Sequence, residues 1–231
     1  MRSKIGKLFV AILAFMLSGA AISAFADEAK RISESSAVIK ELMAMPEMNV
    51  PPALFKDAAA IAVIPGVMKG GIIVAGRFGT GVMAVREKNG DWSPPVFVSL
   101  GGGSLGWQIG AESTDFILVF KNRRSIDGLK KGKFTLGVDA SAAAGPVGRT
   151  VEADTDALMK AEIVSYSRSR GLFAGVSMEG AVLHIDADAN AAFYKQKGIK
   201  TDDIFSGKVS GDAQEVMQFR ELLKRYVSGS N

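Results

Sequence analysis

Apolar residues recur with a helical period near both ends of the chain and with a strand period between them. Residues 28–45 predict an amphipathic helix that ends before Pro46, and residues 213–227 predict a second one. The prolines at positions 51 and 52 predict a short helix through Ala58, and residues 188–197 predict another. The polar face of helix 28–45 mixes basic with acidic side chains, so we expect this helix to pack on the domain rather than lie on a bilayer.

Between these helices the alternation of apolar and polar residues predicts a series of short strands. They cover residues 60–64, 72–75, 81–86, 96–100, 116–120, 134–138, 163–167 and 176–185. Asn89-Gly90 predicts a hairpin turn, and Ser125 predicts the N-cap of a short helix through Lys131. Since no long linker divides the pattern, we expect a single domain over residues 51–231, preceded by the helical segment 27–50.

The predicted strands are unusually rich in glycine, which makes up 26 residues of the chain. The glycines within them or beside them are Gly76, Gly79, Gly81, Gly106, Gly110, Gly137 and Gly175. Glycine weakens a strand unless it permits a bend or a close backbone approach. We therefore predict an α+β fold in which a strongly curved or closed antiparallel β-sheet is flanked by N- and C-terminal helices.

Residues 1–26 have the three parts of an export signal. A basic start (Arg2, Lys4, Lys7) precedes the apolar run 8–17, and Ala24-Phe25-Ala26 supplies a small-residue cleavage site. We expect cleavage after Ala26 and a periplasmic protein, with peripheral membrane association as an option. Removing this segment lowers the formal net charge from +4 to about +1, which weakens the case for a nucleic-acid partner.

Five stretches of the chain, which follow one another in the sequence, resemble a known family. They are IPGVMKGGIIVAGRFGTGVMAVREKNGDWSPPVF from Ile64, GGGSLGWQIGAESTDFILVF from Gly101, AGPVGR from Ala144, YSRSRGLFAGVSMEG from Tyr166, and Asn190 with Phe193-Tyr194. The chain resembles the SYLF domain family, a lipid-binding module of eukaryotic membrane-trafficking proteins and bacterial exported proteins. The resemblance implies a non-enzymatic domain that engages phospholipid. Its eukaryotic members recognise phosphoinositides and fungal ones also bind actin, ligands that we do not expect in a periplasm.

Arginines supply the candidate contacts to an anionic head group. Arg168 and Arg170 are two residues apart, so an extended backbone would project both guanidinium groups from one face. Such a pair suits a phosphate or a carboxylate, and the alternative is a solvated strand end paired with nearby acids. From charge and position we predict head-group contacts by Arg168, Arg170, Arg149, Arg123 and Arg124, with Lys69 and Lys131 in a secondary role. These residues form one site only if they converge on one surface; scattered over several faces, they would be solubilising charge.

A catalytic alternative centres on Ser104. Gly102-Gly103-Ser104-Leu105-Gly106 fits the G-x-S-x-G pattern of serine hydrolases, with His184 and either Asp115 or Asp127 later in the chain. That motif requires a strand that turns directly into a helix, whereas residues 107–110 continue as extended and glycine-rich sequence. We therefore predict no catalytic residue. The same glycine run matches a dinucleotide fingerprint and lacks the same helix.

No cofactor or metal site is expected either. His184 is the sole histidine and cysteine is absent, so the usual zinc ligands are missing. Asp186, Asp188 and Asn190 alternate like part of a calcium loop but fit a helix N-cap cluster better. An envelope protein that docks another protein through its glycine-rich surface remains the alternative to lipid binding.

Overall fold

The computed structural model describes residues 27–44, 52–70, 75–104, 112–146, 158, 160–169, 172–209 and 211–228. Its helices are α1 (27–43), α2 (Pro52–Lys56), α3 (Arg123–Leu129), α4 (Ala187–Phe193), α5 (Thr201–Phe205) and α6 (Gln214–Ser228). Its strands are β1 (Ala60–Gly70), β2 (Ala75–Val85), β3 (Val96–Ser104), β4 (Glu112–Phe120), β5 (Phe134–Thr135), β6 (Ala142–Ala144), β7 (Ile163–Ser169), β8 (Leu172–Gly175) and β9 (Val182–Ile185). No helix within these residues is long and apolar enough to cross a bilayer.

The nine strands form one strongly curled, open sheet. Their order is β5-β9-β3-β2-β1-β4-β7-β6, and β8 pairs with β7 outside that path. Neighbours are antiparallel except β6 and β7, which are parallel. The predicted α+β fold with a strongly curved sheet is confirmed, with the refinements that the sheet is open and mixed.

Successive side chains of a strand point to opposite sides of the sheet. Both sides are buried, because each one packs in its own hydrophobic core. On β1, Ile61 and Val63 pack with α1, α2, α4 and α6, and we call this side the α1 face. Ala60, Ala62 and Ile64 pack with α3, α5 and β5, on the side that we call the α3 face. Burial on both faces explains why β1 reads as a continuous apolar run.

β1 contains a bulge, a feature that bends a strand and increases its twist. The register with β4 shifts between Ile64 and Val67, where Pro65 cannot donate a ladder hydrogen bond and Gly66 adopts a φ of +60°. The bulged backbone lies directly against β2, since a Cβ on Gly81 would meet the carbonyl oxygen of Val63 at 2.0 Å. Glycine at position 81 is therefore required by a close backbone approach.

The terminal helices follow their predictions closely. α1 packs on the sheet through Ile32, Ile39 and Leu42, and α6 packs through Phe219 and Leu223. The hairpin predicted at Asn89-Gly90 joins β2 to β3, with Gly90 at a φ of +89°.

Other boundaries differ from prediction. Ser125 does not cap α3, because Asn122 caps it and accepts the backbone N–H of Ser125 at 3.1 Å. The predicted strand 176–185 forms only at Val182–Ile185, after a turn at residues 179–180, and the helix Thr201–Phe205 was not predicted. Residues 72–74, with Gly106 and Gly110, lie outside the described residues.

Candidate functional site

Six strands have one terminus at the same end of the sheet. The backbone of Lys69 near the end of β1 is opposite Arg77 on β2 and Glu112 on β4. β3 ends beside the start of β2, and β7 pairs with β8 through Ser169 and Leu172. We call this end of the sheet the tip end, and the opposite end, where β4 leads into α3, the far end.

The structure separates the predicted basic residues into two groups. Lys69 and Arg168 belong to strands at the tip end, whereas Arg123, Arg124 and Lys131 lie in or just after α3 at the far end. The length of β4, nine residues, places the two ends about 30 Å apart along the strand. All three far-end side chains are exposed, and the guanidinium of Arg123 donates to the carbonyl of Arg86. Arg149 and Arg170 lie outside the described residues.

Arg168 is held in an internal cluster of charges. Its Nε donates to Oδ2 of Asp115 on β4 at 2.6 Å, and its terminal nitrogens form ion pairs with Asp115 and with Glu41 of α1. The guanidinium carbon lies 5.9 Å from the ring centroid of Phe173, and the side chain is 18% exposed. Burial lowers the pKa of Arg168, yet a guanidinium stays charged at any physiological pH. The cluster therefore ties α1 to β4 and β7 and already satisfies the charge of Arg168.

Asp115 connects this cluster to the bulge of β1. Its Oδ1 accepts the backbone N–H of Gly66 at 2.8 Å while its other oxygen faces Arg168. One carboxylate thus holds the bulge, β4 and β7 in a fixed relation.

Beside this cluster, the tip end carries an exposed apolar pair. Met68 and Phe78 are direct cross-strand partners on β1 and β2, and their side chains are 51% and 63% exposed. Strand alternation places them on the α1 face. On β8, at the same end, Leu172 is 66% exposed. The described residues include five large apolar side chains that are more than half exposed, and three of them lie at the tip end.

A pocket of about 220 Å³ opens at the tip end on the α3 face. Its polar lining comes from Arg77, Thr114, Ser167 and Ser169, and its apolar lining includes Val67 and Phe116. Nη1 of Arg77 donates to Sδ of Met178 at 3.6 Å, and no carboxylate of the described residues forms an ion pair with Arg77. The pocket thus combines a cation, three hydroxyl groups and an apolar wall.

The residues of the hydrolase alternative are not assembled. The backbone of Ser104 continues β3 and pairs with Ala75, Asp115 is bound to Arg168, and Asp127 pairs with Lys130 at 2.9 Å. His184 is exposed on β9, with three strands between it and β4. Within the described residues no group of histidine and carboxylate side chains could hold a metal ion.

The segment around α4 has a structural role. Asp186 accepts the N–H of Ala189 at 3.0 Å and caps the helix, as an N-cap cluster predicts. Asn190 is buried and accepts the N–H of Phe97 on β3 at 3.0 Å, and the hydroxyl of Tyr194 donates to the carbonyl of Pro95 at 2.6 Å. Burial raises the pKa of Tyr194, which therefore keeps its proton. These contacts fasten α4 to β3.

Arg77 was not among the residues predicted from the sequence, although its neighbours in the sequence indicated a candidate. Arg77 precedes an aromatic residue in a glycine-rich strand, so opposite faces of one short segment carry a cation and an exposed apolar ring. The acidic partners of Arg168 were missed because Asp115 is 53 residues away in sequence and Glu41 belongs to a separate helix.

Comparison with known proteins finds one family model and several relatives that match this chain over part of their own length. A family model described as Ysc84, Las17-binding protein actin regulator, matches residues 101–226. An SH3 domain-containing protein of Schizosaccharomyces pombe is 39% identical over 176 residues, which cover 75% of this chain and 40% of that protein.

Two further relatives give the same picture. The SH3 domain-containing YSC84-like protein 1 of Xenopus laevis is 34% identical over 71% of this chain and 49% of its own length. Protein YSC84 of Saccharomyces cerevisiae is 37% identical over 69% of this chain and 34% of its own length. The chain thus spans less than half the length of these relatives.

Proposed function

Because the chain belongs to the Ysc84 (SYLF) family, whose domain is a binding module, we propose that it binds anionic phospholipid surfaces without catalysis, through the tip end of its sheet. The observation that carries the proposal is the exposed cross-strand pair Met68 and Phe78. A protein that binds a bilayer surface needs apolar side chains that enter the interface and cations that face the head groups.

The tip end supplies both components. Met68, Phe78 and Leu172 provide the apolar contacts, and Arg77 provides a cation without a carboxylate partner among the described residues. Lys69 stands opposite Arg77 in the backbone register. In this proposal Arg168 positions strands rather than contacting lipid, because Asp115 and Glu41 already pair with it. Arg123, Arg124 and Lys131 at the far end make no lipid contact in this proposal.

Co-sedimentation with vesicles tests this function. The processed protein, residues 27–231, is mixed with vesicles of phosphatidylcholine alone, or of equal parts phosphatidylcholine and phosphatidylglycerol, at low and at physiological salt. We expect binding to the anionic vesicles that salt weakens but does not abolish, because screening removes the electrostatic part and leaves the apolar part. Equal binding to both vesicle types, or none to either, would contradict the proposal.

We propose further that the protein acts in the periplasm. The support is the sequence pattern of residues 1–26, in which a basic start, an apolar run and the small residues Ala24 and Ala26 follow one another as in export signals. In that compartment the ligand would be a common anionic phospholipid or a similar amphiphile.

A protein partner is the second candidate. The matching family is described as a Las17-binding actin regulator, so docking of another protein is the function that its description favours. In the cell envelope the chain would then act as a scaffold. Recovery of one stoichiometric envelope protein after cross-linking, together with no vesicle binding, would favour this candidate over lipid binding.

A further inference from the structure

We propose that the pocket beside Arg77 is a binding site for a phosphate monoester, and that it selects the head group of an anionic amphiphile. This inference rests on the proposed function, since it names the ligand class that the tip end would recognise. The pocket lies on the α3 face, whereas Met68 and Phe78 lie on the α1 face, so the two features are separate parts of one end of the sheet.

The polar side chains converge because of the strand register. Arg77 comes from β2, Thr114 from β4, and Ser167 and Ser169 from β7. Thr114 is opposite Val67 of β1, and Ser167 is opposite Phe116 of β4, so cross-strand neighbours alternate hydroxyl with apolar groups. Four adjacent strands therefore build the pocket.

The charge of Arg77 is available to a ligand. Its guanidinium donates to the sulfur of Met178, a weak acceptor, whereas Arg168 on the other face has two carboxylate partners. A guanidinium presents five N–H donors and binds phosphate oxygens in a bidentate manner. The hydroxyl groups of Thr114 and Ser167 can donate to the remaining oxygens.

The size of the pocket limits what enters it. Sites for drug-sized ligands enclose about 300–1,000 Å³, and this pocket encloses about 220 Å³. A phosphate monoester fits such a volume and a whole phospholipid does not. The side chains of Val67 and Phe116 would contact the first carbon atoms beyond the phosphate, and the acyl chains would stay outside.

Calorimetric titration with soluble probes tests the site. The probes are dihexanoyl phosphatidic acid, dihexanoyl phosphatidylcholine, glycerol 3-phosphate and inorganic phosphate, each below its micelle concentration where one applies. We expect phosphatidic acid to bind and phosphatidylcholine not to bind. In Arg77→Gln the affinity should fall about tenfold or more, because a charge-assisted bidentate contact is lost. Thr114→Val, which keeps shape and removes one hydroxyl, should weaken binding by a smaller factor.

Arg124→Gln at the far end is the matched control, since it removes the same charge from an exposed position outside the pocket. It should leave the affinity unchanged. Equal affinity of Arg77→Gln and the unmodified protein for phosphatidic acid would overturn the proposal, and so would the absence of binding by every phosphate probe. Tighter binding of phosphatidic acid than of glycerol 3-phosphate identifies a lipid source, and equal binding identifies a soluble phosphomonoester.

The titration tests the pocket independently of the vesicle experiment, which tests membrane binding. If phosphatidic acid binds through Arg77 but no vesicle does, the pocket stands and the membrane function fails. If anionic vesicles bind and Arg77→Gln changes neither vesicle nor phosphatidic acid binding, the membrane function stands and the pocket fails.

Discussion

Asp115 and Arg168 face each other across β4 and β7, and Nε of Arg168 donates to Oδ2 of Asp115 at 2.6 Å. The other oxygen of Asp115 accepts the N–H of Gly66 in the bulge of β1. The contact therefore joins three strands at the end of the sheet where we place the binding surface. The same contact gives Arg168 a structural role, since it holds β4 and β7 together.

Removing this carboxylate should destabilise the protein. In Asp115→Ala the Gly66 N–H loses its acceptor, and the partly buried guanidinium of Arg168 loses one of its two carboxylate partners. We expect the free energy of unfolding, measured by urea denaturation, to fall by about 2–4 kcal/mol. Asp91→Ala is the control, because the exposed pair of Asp91 with Lys224 should contribute less than about 1 kcal/mol. Equal losses in the two variants would show that the Asp115 contact is not structural.

The glycine at position 81 should not tolerate a side chain. Its Cβ would lie 2.0 Å from the carbonyl oxygen of Val63, so Gly81→Ala must displace the backbone of β1 or β2. We expect a loss of about 3 kcal/mol, which for a domain of this size lowers Tm by roughly 6–12 °C. Gly101→Ala on neighbouring β3 is the matched control, since nothing lies within 4 Å of its added Cβ. A Tm change in Gly81→Ala as small as in the control would contradict the close strand approach.

Glu28 at the start of α1 should make stability depend on pH. Burial raises the pKa of Glu28 above its unfolded value of 4.5, although Arg31 opposes this shift. The folded state therefore binds the proton more tightly, and the stability that this group contributes is present at low pH and is lost as the pH rises through the folded pKa. Glu28→Gln removes that dependence.

We expect the unfolding free energy of Glu28→Gln to rise relative to that of the unmodified protein as the pH increases above 4.5. Parallel pH profiles for Glu28→Gln and the unmodified protein would refute the assignment.

Export leaves a direct chemical record. If residues 1–26 act as a signal, mass spectrometry of the protein recovered from the cell envelope should find Asp27 as the first residue. Ala26→Leu should slow this processing, because signal cleavage requires a small residue at that position. Recovery of the chain only in the cytoplasm, with its first peptide intact, would remove the periplasmic proposal.

The sequence predicted the elements whose periodicity is plain. α1 and α6 have a single apolar stripe, and the hairpin of Gly90 has a recognisable turn pair. The length of β1 could not be predicted, because its interior holds Pro65 and Gly66, residues that normally end a strand. Only the pairing of β1 with two neighbours shows that they form a bulge.

The candidate site was predictable only in part. Composition and the family resemblance identified arginine and lysine as candidate ligands but could not show which charges have partners. Arg168 is paired with residues that are far from it in the sequence, and Arg77 became visible as a candidate only when four strands placed hydroxyl groups around it. The partners of Arg168 and the surroundings of Arg77 both depend on how distant strands pair, which the periodicity of the sequence does not reveal.

We propose that the tip end binds anionic membranes through Met68 and Phe78. Vesicle binding of the Met68→Ser/Phe78→Ser double variant tests this proposal most directly. The control is Met217→Ser on α6, whose side chain is 52% exposed in a groove beside Trp92, away from the tip end. We predict that the double variant loses about tenfold or more in affinity for vesicles of equal parts phosphatidylcholine and phosphatidylglycerol, with little change in Tm, because two exposed apolar side chains no longer enter the interface. The Met217 variant should bind normally. Unchanged binding by the double variant, or an equal loss in the control, would contradict the account.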